Sequence, residues 1–77
     1  MLIVLLLFGL QFFFNKDEKK PLHINVSNKD GKAVIDVLTD TVVENTGIKP
    51  EDMQKALDAV AQYKGDIIKA WHQYFGD

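Results

Sequence analysis

Polar and apolar side chains alternate in two short segments of the first half of the chain, residues 22–28 and 32–39. The sequence Asn28-Lys29-Asp30-Gly31 lies between them. Alternation with a period of two is typical of a strand with one buried face, and an Asp-Gly pair supplies the positive φ angles of a tight turn. This stretch therefore predicts a β-hairpin.

Residues 1–14 are apolar apart from Gly9 and Gln11, which first suggests a membrane or signal segment. A helix of this length would span about 21 Å, whereas the hydrocarbon core of a bilayer is about 30 Å thick. The cationic start and the small-residue cleavage site of a signal peptide do not match this pattern. We therefore expect no membrane partner and two strands, residues 2–8 and 10–15, broken at Gly9 and buried on both faces. The alternative is a membrane-surface protein anchored by residues 1–14.

Residues 50–76 change to the three- and four-residue spacing of amphipathic helices. Pro50 suits the first position of a helix, and acidic residues follow it in the first turn. The apolar faces of the two predicted helices are Met53, Ala56, Leu57, Val60 and Ala61, and then Ile67, Ile68, Trp71, Tyr74 and Phe75. Gly65 separates the two patterns, so we expect a connection at residues 63–65 and Asp66 as the cap of the second helix.

The predicted fold is therefore α+β, with a small antiparallel sheet of three to four strands packed against a C-terminal helical hairpin. The strands fall in residues 1–39, a short strand or connection in residues 40–49, and the two helices in residues 50–76. A chain of 77 residues has room for one core, so we expect one domain, residues 1–77.

The apolar content of 47 % is more than one small core readily buries, and self-association would bury the surplus. Successive strand side chains point to opposite faces, so Phe13 must face away from Phe12 and Phe14. Because the helices cover one face of the sheet, a second copy or a partner protein would cover the other. The alternative is that neighbouring strands cover it within one chain. We expect a homo-oligomer, in the simplest case a homodimer.

Charge and composition disfavour several classes of function. All nine basic residues are Lys, against eleven acidic residues, which gives a net charge of −2. Binding of nucleic acid needs a basic patch, and base readout relies on the guanidinium fork of Arg, so we expect no nucleic-acid partner. The sequence has no Cys, which excludes disulfides and thiolate metal sites and favours a reducing, cytoplasmic setting. It also lacks a glycine-rich phosphate loop, and we expect no cofactor.

The candidate catalytic residues are His23, Glu18 and Asp36, because a histidine oriented by a carboxylate can act as a general acid or base. The same three side chains could be assembled on paper as zinc ligands, but a zinc site needs three or four ligands with a supporting second shell, and we expect no metal. The simpler interpretation of His23 is a strand histidine held by a hydrogen bond at the sheet surface. The sequence favours a protein that is not an enzyme.

The candidate surface for a ligand or a partner consists of His23, Asn25, Phe13 and Trp71. His23 and Asn25 share one face of their strand because strand side chains alternate with period two. Phe13 is the member of the aromatic triplet that faces away from the helices, and Trp71 lies near the end of the second helix. This surface would either bind another molecule or be hydrated.

Two runs of the sequence resemble the start of a prokaryotic family known as domain of unknown function 4160. They are Gly9-Leu10-Gln11-Phe12-Phe13-Phe14 and, after Glu18, Pro21-Leu22-His23-Ile24-Asn25-Val26. The family pattern has a glycine, an aromatic triplet, an acidic residue followed by histidine, and then Pro-Pro-His-x-His-Val. Further along, Ala56-Leu57 and Trp71 fall on positions similar to the family's Ala-Leu and Trp.

The chain departs from this family pattern at Lys19, Leu22 and Asn25, where the family has histidine, proline and histidine. Any metal or acid–base site of the family would therefore lack two imidazoles here. The resemblance implies a small sheet with two helices in a bacterial protein. Genes of this family often lie beside those of another short family, which has invited the suggestion of toxin–antitoxin pairs.

The leading hypothesis is a small, cytoplasmic, dimerising protein-interaction module that belongs to a toxin–antitoxin-like gene pair. The first alternative is a hydrolase-like toxin component directed at RNA, with His23 as general acid or base and Glu18 or Asp36 orienting it. The second alternative is the membrane-surface protein anchored by residues 1–14.

Overall fold

Five strands precede two helices in the part of the chain that a computed structural model describes, residues 2–15 and 22–76. The strands are β1 (Leu2–Leu7), β2 (Leu10–Phe14), β3 (His23–Ser27), β4 (Lys32–Asp36) and β5 (Thr41–Thr46), and the helices are α1 (Pro50–Gln62) and α2 (Lys64–Phe75). All strand pairs are antiparallel and follow chain order. The sheet is therefore a meander with β1 and β5 at its edges.

The predicted α+β class is confirmed, but the expected count of three to four strands is wrong, because the sheet has five in the described residues. The additional strand is β5, which lies in the region predicted as a short strand or a connection. Most of its side chains are exposed, so it lacks the apolar alternation that marks a half-buried strand. Backbone pairing with β4 holds it in the sheet, and such pairing leaves little trace in the side-chain pattern.

Phe8 and Gly9 form the two-residue turn between β1 and β2, and Leu7 pairs with Leu10 on either side of it. Both turn residues have positive φ angles, 56° for Phe8 and 73° for Gly9. Two positive φ angles are the requirement of a type I′ turn, whose twist matches that of antiparallel strands. The predicted break at Gly9 is therefore confirmed as a tight turn.

The predicted hairpin of β3 and β4 is confirmed, but its turn works differently from the prediction. The φ angles of Asp30 and Gly31 are not positive. Instead, Oδ1 of Asn28 accepts hydrogen bonds from the amides of Asp30 at 2.9 Å and Gly31 at 3.0 Å. Gly31 is required for space, because a Cβ atom there would overlap the carbonyl oxygen of Thr46.

Both helices pack on one face of the sheet, which we call the covered face. The buried apolar side chains of this core are Leu10, Phe12, Phe14, Leu22, Ile24, Val26, Ala33, Ile35, Val37, Ile48, Met53, Ala56, Ala59, Val60 and Ile67. The ring of Phe14 lies 6.4 Å from that of Tyr74 and 6.0 Å from that of Phe75, measured between centroids, so β2 meets α2 through aromatic contacts.

The helical hairpin is confirmed, with a tighter connection than predicted. Tyr63 alone separates α1 from α2, and Gly65 and Asp66 lie in the first turn of α2. The expected longer connection and the expected cap at Asp66 are therefore wrong. The Tyr63 amide donates to the Ala59 carbonyl and the Tyr63 carbonyl accepts from the Ile67 amide, both at 2.9 Å, so backbone hydrogen bonding continues through the corner.

Candidate functional site

The sheet face opposite the helices, which we call the open face, carries side chains from all five strands. Its central row, in register across the sheet, is Ile3, Phe13, Asn25, Val34 and Glu44. The flanking rows are Leu6, Gln11, Ser27, Lys32 and Thr46 on one side, and His23, Asp36 and Thr41 on the other. The prediction that Phe13 faces away from Phe12 and Phe14 is confirmed, because burial alternates along β2.

Exposed apolar side chains gather along β1 and at the turn that follows it. Ile3, Leu6 and Phe8 are 45 %, 69 % and 66 % exposed. The expectation that both faces of this strand are buried is therefore wrong, because β1 is an edge strand and the described helices cover one face of the sheet. Ile3 pairs with Phe13, so the exposed apolar surface continues from β1 onto β2.

A shallow depression of about 430 Å³ lies in the middle of the open face. Its lining includes Phe13, Asn25 and Val34 of the central row, with Lys32 and Glu44 beside them. Asn25 is buried, and its Nδ2 donates to the backbone carbonyl of Phe13 at 3.4 Å. The depression therefore combines an aromatic ring, an amide and two side chains of opposite charge.

His23 and Asp36, two of the candidate catalytic residues, lie together on the open face. They are directly paired on β3 and β4, with His23 Nε2 3.7 Å from Asp36 Oδ2. This separation is longer than a hydrogen bond, so the contact is electrostatic and is strongest with a protonated imidazole. The other carboxylate oxygen, Oδ1, accepts from the amides of Leu38 at 3.0 Å and Thr39 at 3.2 Å. Asp36 therefore holds the β4–β5 turn and also faces His23.

Glu18, the third candidate catalytic residue, lies outside the described residues. Over residues 2–15 and 22–76, the structure contains no group of three or more His, Cys, Asp or Glu side chains arranged to hold a metal ion. Of the three candidate catalytic residues, the described structure brings His23 and Asp36 together.

The segment considered as a membrane anchor, residues 1–14, folds into β1 and β2 over its described part. Leu10, Phe12 and Phe14 lie in the core, so three of the five residues of β2 pack against the helices. Neither described helix is long and apolar enough to cross a membrane.

Trp71 lies on the other side of the sheet from the rest of the candidate surface. It belongs to α2 and packs at the margin of the core, with its ring centroid 5.1 Å from that of Phe75. Its indole Nε1 is buried and has no hydrogen-bond partner among the described residues. The structure thus brings Phe13, His23 and Asn25 together on the open face and places Trp71 apart from them.

Leu6, Val34 and Glu44 also belong to the open face and are not among the residues predicted from the sequence. The orientation of Val34 could be found from its alternation with the core residues of β4. The exposure of Leu6 had no such signal, since a continuous apolar run shows no alternation and the edge position of β1 depends on the strand order.

These features define a small α+β protein, an antiparallel meander with a helical hairpin on one face and a mixed apolar and polar surface on the other. The family model of the domain of unknown function DUF4160 matches residues 9–72, and the chain belongs to this family. The resemblance found in the sequence is therefore confirmed. β1 lies before the matched residues. No curated protein and no solved structure matches the chain.

Proposed function

We propose that this protein is a module for protein–protein interaction that forms homodimers and binds a partner protein through its open face. The observation that carries the proposal is the exposed apolar cluster of Ile3, Leu6 and Phe8. Single exposed apolar residues are common on protein surfaces, whereas a contiguous group marks an interaction site. The pairing of Ile3 with Phe13 makes this group contiguous with the central depression.

The polar groups of the open face suit the same role. Asn25 lies between Phe13 and Val34 in the central row, and Lys32 and Glu44 also line the depression. Interfaces between proteins likewise combine apolar contacts with hydrogen-bonding groups. Lys32 and Glu44 place opposite charges in one depression, and such a surface fits a partner of mixed charge better than a polyanion. This favours a protein as the partner.

The proposal places the protein in the cytoplasm, which its cysteine-free sequence favours. It takes the partner to be the other protein of a toxin–antitoxin-like gene pair, as the family resemblance suggests. Such a role needs a binding surface and requires neither a cofactor nor a catalytic residue.

Site-specific photo-crosslinking in the native host tests the binding of a partner protein. A photoreactive phenylalanine analogue is placed at Val34, in the depression, or at Gln54, on the exposed side of α1. We expect one dominant protein adduct from position 34, identified by mass spectrometry, and no such adduct from position 54. Equal labelling from the two positions, or labelling from neither, would contradict the proposal.

A second candidate function, an RNA-directed hydrolase-like toxin, is favoured by the approach of His23 Nε2 to Asp36 Oδ2 at 3.7 Å. A carboxylate fixed by two backbone amides can hold an imidazole in one orientation for general acid–base work. We rank this candidate second because Asp36 already has a structural task in the turn and its distance to His23 exceeds that of a hydrogen bond.

Expression in a bacterial host tests this second candidate. The hydrolase would arrest growth and degrade RNA, and His23→Ala would abolish both effects while leaving the circular dichroism spectrum unchanged. His72→Ala, a substitution on the exposed side of α2, serves as the control and should retain both effects. Arrest that persists in a folded His23→Ala protein would exclude this histidine as the catalytic group.

A further inference from the structure

No strand of the described residues, 2–15 and 22–76, covers the outer edge of β1. β1 pairs with β2 on one side, and its other side presents backbone amides and carbonyls that no strand of the sheet pairs with in the described residues. Proteins usually block such an edge with a charged side chain or a proline. The opposite edge strand, β5, carries Glu44 and several polar side chains, whereas residues 2–15 contain neither a charge nor a proline.

A bulge in β1 gives this strand a symmetric arrangement of side chains. The register shifts between Ile3 and Leu5, so Val4 is an extra residue in the pairing with β2. The side chains that pack against the core are Leu2, Val4, Leu5 and Leu7. Ile3 and Leu6 pair with Phe13 and Gln11 and lie on the open face. From residue 2 to residue 7 the order is core, open, core, core, open, core, which is the same in both directions.

We infer that β1 of a second copy of the chain occupies this edge, antiparallel to the first, about a two-fold axis between Val4 and Leu5. The inference rests on the proposed dimerisation and names the surface that produces it. In this register Ile3 lies opposite Leu6 of the partner subunit, and Leu2 lies opposite Leu7 of the partner subunit. Side chains on the open face then lie opposite side chains on the open face of the partner subunit. Side chains that face the core likewise lie opposite side chains that face the core.

Neighbouring registers do not preserve this match. A shift by one residue would set Ile3 opposite a core-side leucine and move apolar side chains to the wrong face. A second copy also fits by charge, because two strands without charged residues can pair without repulsion or buried charge. An identical strand is therefore a partner that the edge accepts in one well-defined register.

The junction extends beyond the two strands. α2 approaches β1 on the covered face, so the α2 helices of the two subunits come to lie beside each other along the junction. A stable dimer buries about 800 Å² on each partner, which is more than one strand edge supplies. The α2 helices add contact area, and the product is a continuous ten-stranded sheet.

Disulfide trapping tests the register. The chain has no native cysteine, so only the introduced thiols can form a disulfide. In the double variant Ile3→Cys/Leu6→Cys, each thiol lies opposite a thiol of the other subunit at the Cα separation that disulfides accept, about 4.4–6.8 Å. Within one subunit these positions are about 10 Å apart along the strand and cannot be bridged. We expect a covalent dimer in a non-reducing gel. Ile3→Cys/Val43→Cys, with the second thiol on an exposed position of β5, is the control and should remain single chains.

A charged substitution in β1 tests the same interface by a second measurement, the dissociation constant of the dimer. Leu6→Lys should raise the dissociation constant of the dimer by about tenfold, because it replaces the two symmetry-related apolar pairs of Leu6 with Ile3 of the partner subunit by pairs of lysine with isoleucine. Val43→Lys, at an exposed position of the opposite edge, should leave the constant unchanged. Circular dichroism confirms that both variants are folded.

The outcomes separate this inference from the proposed function. If the wild-type protein is a dimer but Leu6→Lys does not weaken it, or the control pair crosslinks as well as the designed pair, the β1 edge is not the interface and dimerisation itself stands. A wild-type protein that stays monomeric at every concentration overturns both the dimer and its assignment to β1.

Discussion

Asp36 uses its two carboxylate oxygens for different tasks. Oδ1 accepts the amides of Leu38 and Thr39 and thereby fixes the turn between β4 and β5, while Oδ2 faces His23. Asp at this position is typical of turns, because a short side chain can accept hydrogen bonds from amides two or three residues further along. The turn alone accounts for the presence of Asp36, whatever the role of the histidine.

Substitution of Asp36 separates these two tasks. Asp36→Ala removes both turn hydrogen bonds and should lower the free energy of unfolding by about 1–2 kcal/mol. Asp36→Asn keeps an oxygen acceptor in the same place and should cost less than half as much. Urea titration followed by circular dichroism measures both values. Equal losses for the two variants would mean that the negative charge, and not the turn, determines the stability.

Phe8 has a φ angle of 56° in the β1–β2 turn, a conformation that costs a non-glycine residue about 1 kcal/mol or more. Asn is the preferred residue before Gly in a type I′ turn, so Phe8→Asn should raise the free energy of unfolding by about 1 kcal/mol. For a domain of this size the melting temperature should rise by about 4–8 °C at fixed protein concentration. Phe8→Ala, which keeps a Cβ atom, is the control. Identical melting temperatures for the Asn and Ala variants would show that the turn is not strained.

Gly31 and Gly65 make a matched pair of glycines with opposite environments. A Cβ atom on Gly31 would collide with the backbone at Thr46, whereas one on Gly65, in the first turn of α2, meets nothing within 4 Å. Gly31→Ala should therefore lower the free energy of unfolding by about 2 kcal/mol or more. Gly65→Ala should raise it by about 0.5 kcal/mol, because alanine favours the helix. Calorimetry that finds both variants equally stable would contradict the close approach of the β3–β4 turn to the end of β5.

The two faces of β2 differ in burial: one lies in the core under the helices and the other lies on the open face. Phe12 and Phe14 are fully buried under the helices, and Phe13 lies half-buried in the open-face depression. The period of two predicted this separation from the sequence alone, because neighbouring strand residues cannot share a face. The paired faces of β3 and β4 followed in the same way from their alternation.

Truncation of neighbouring phenylalanines in β2 measures this difference. Phe12→Ala should lower the free energy of unfolding by about 3–5 kcal/mol, because it leaves a cavity in the core. Phe13→Ala removes a partly exposed ring and should cost about 1 kcal/mol. Guanidinium unfolding at one protein concentration measures the free energy of unfolding of both variants. A larger loss for Phe13 than for Phe12 would reverse the assignment of the covered and open faces.

Other elements could not be predicted from side-chain patterns, for physical reasons. β5 is held by backbone hydrogen bonds and exposes most of its side chains, so its apolar pattern is weak. The start of α2 was placed too late because Gly65 and Asp66 are typical of helix boundaries, whereas here the backbone hydrogen bonds of Tyr63 join the two helices directly. The exposure of Leu6 follows from the strand order, which long-range pairing determines.

At the scale of the whole molecule, the two faces and the two edges of the sheet differ. The covered face is closed by α1 and α2, while the open face presents Phe13, Asn25 and Val34. The β5 edge is polar and the β1 edge is apolar. The alternation along β3 predicts that His23 and Asn25 share a face, whereas the exposure of the apolar residues Ile3 and Leu6 depends on the edge position of β1.

Light scattering from the purified protein across a concentration series measures dimerisation directly. The measured mass should rise toward twice the 8.7 kDa of one chain as the concentration increases. In Leu6→Lys the rise should shift to about tenfold higher concentration, and in Val43→Lys it should stay where it is in the wild type. A wild-type mass that stays at 8.7 kDa up to millimolar concentration would mean that the protein does not dimerise.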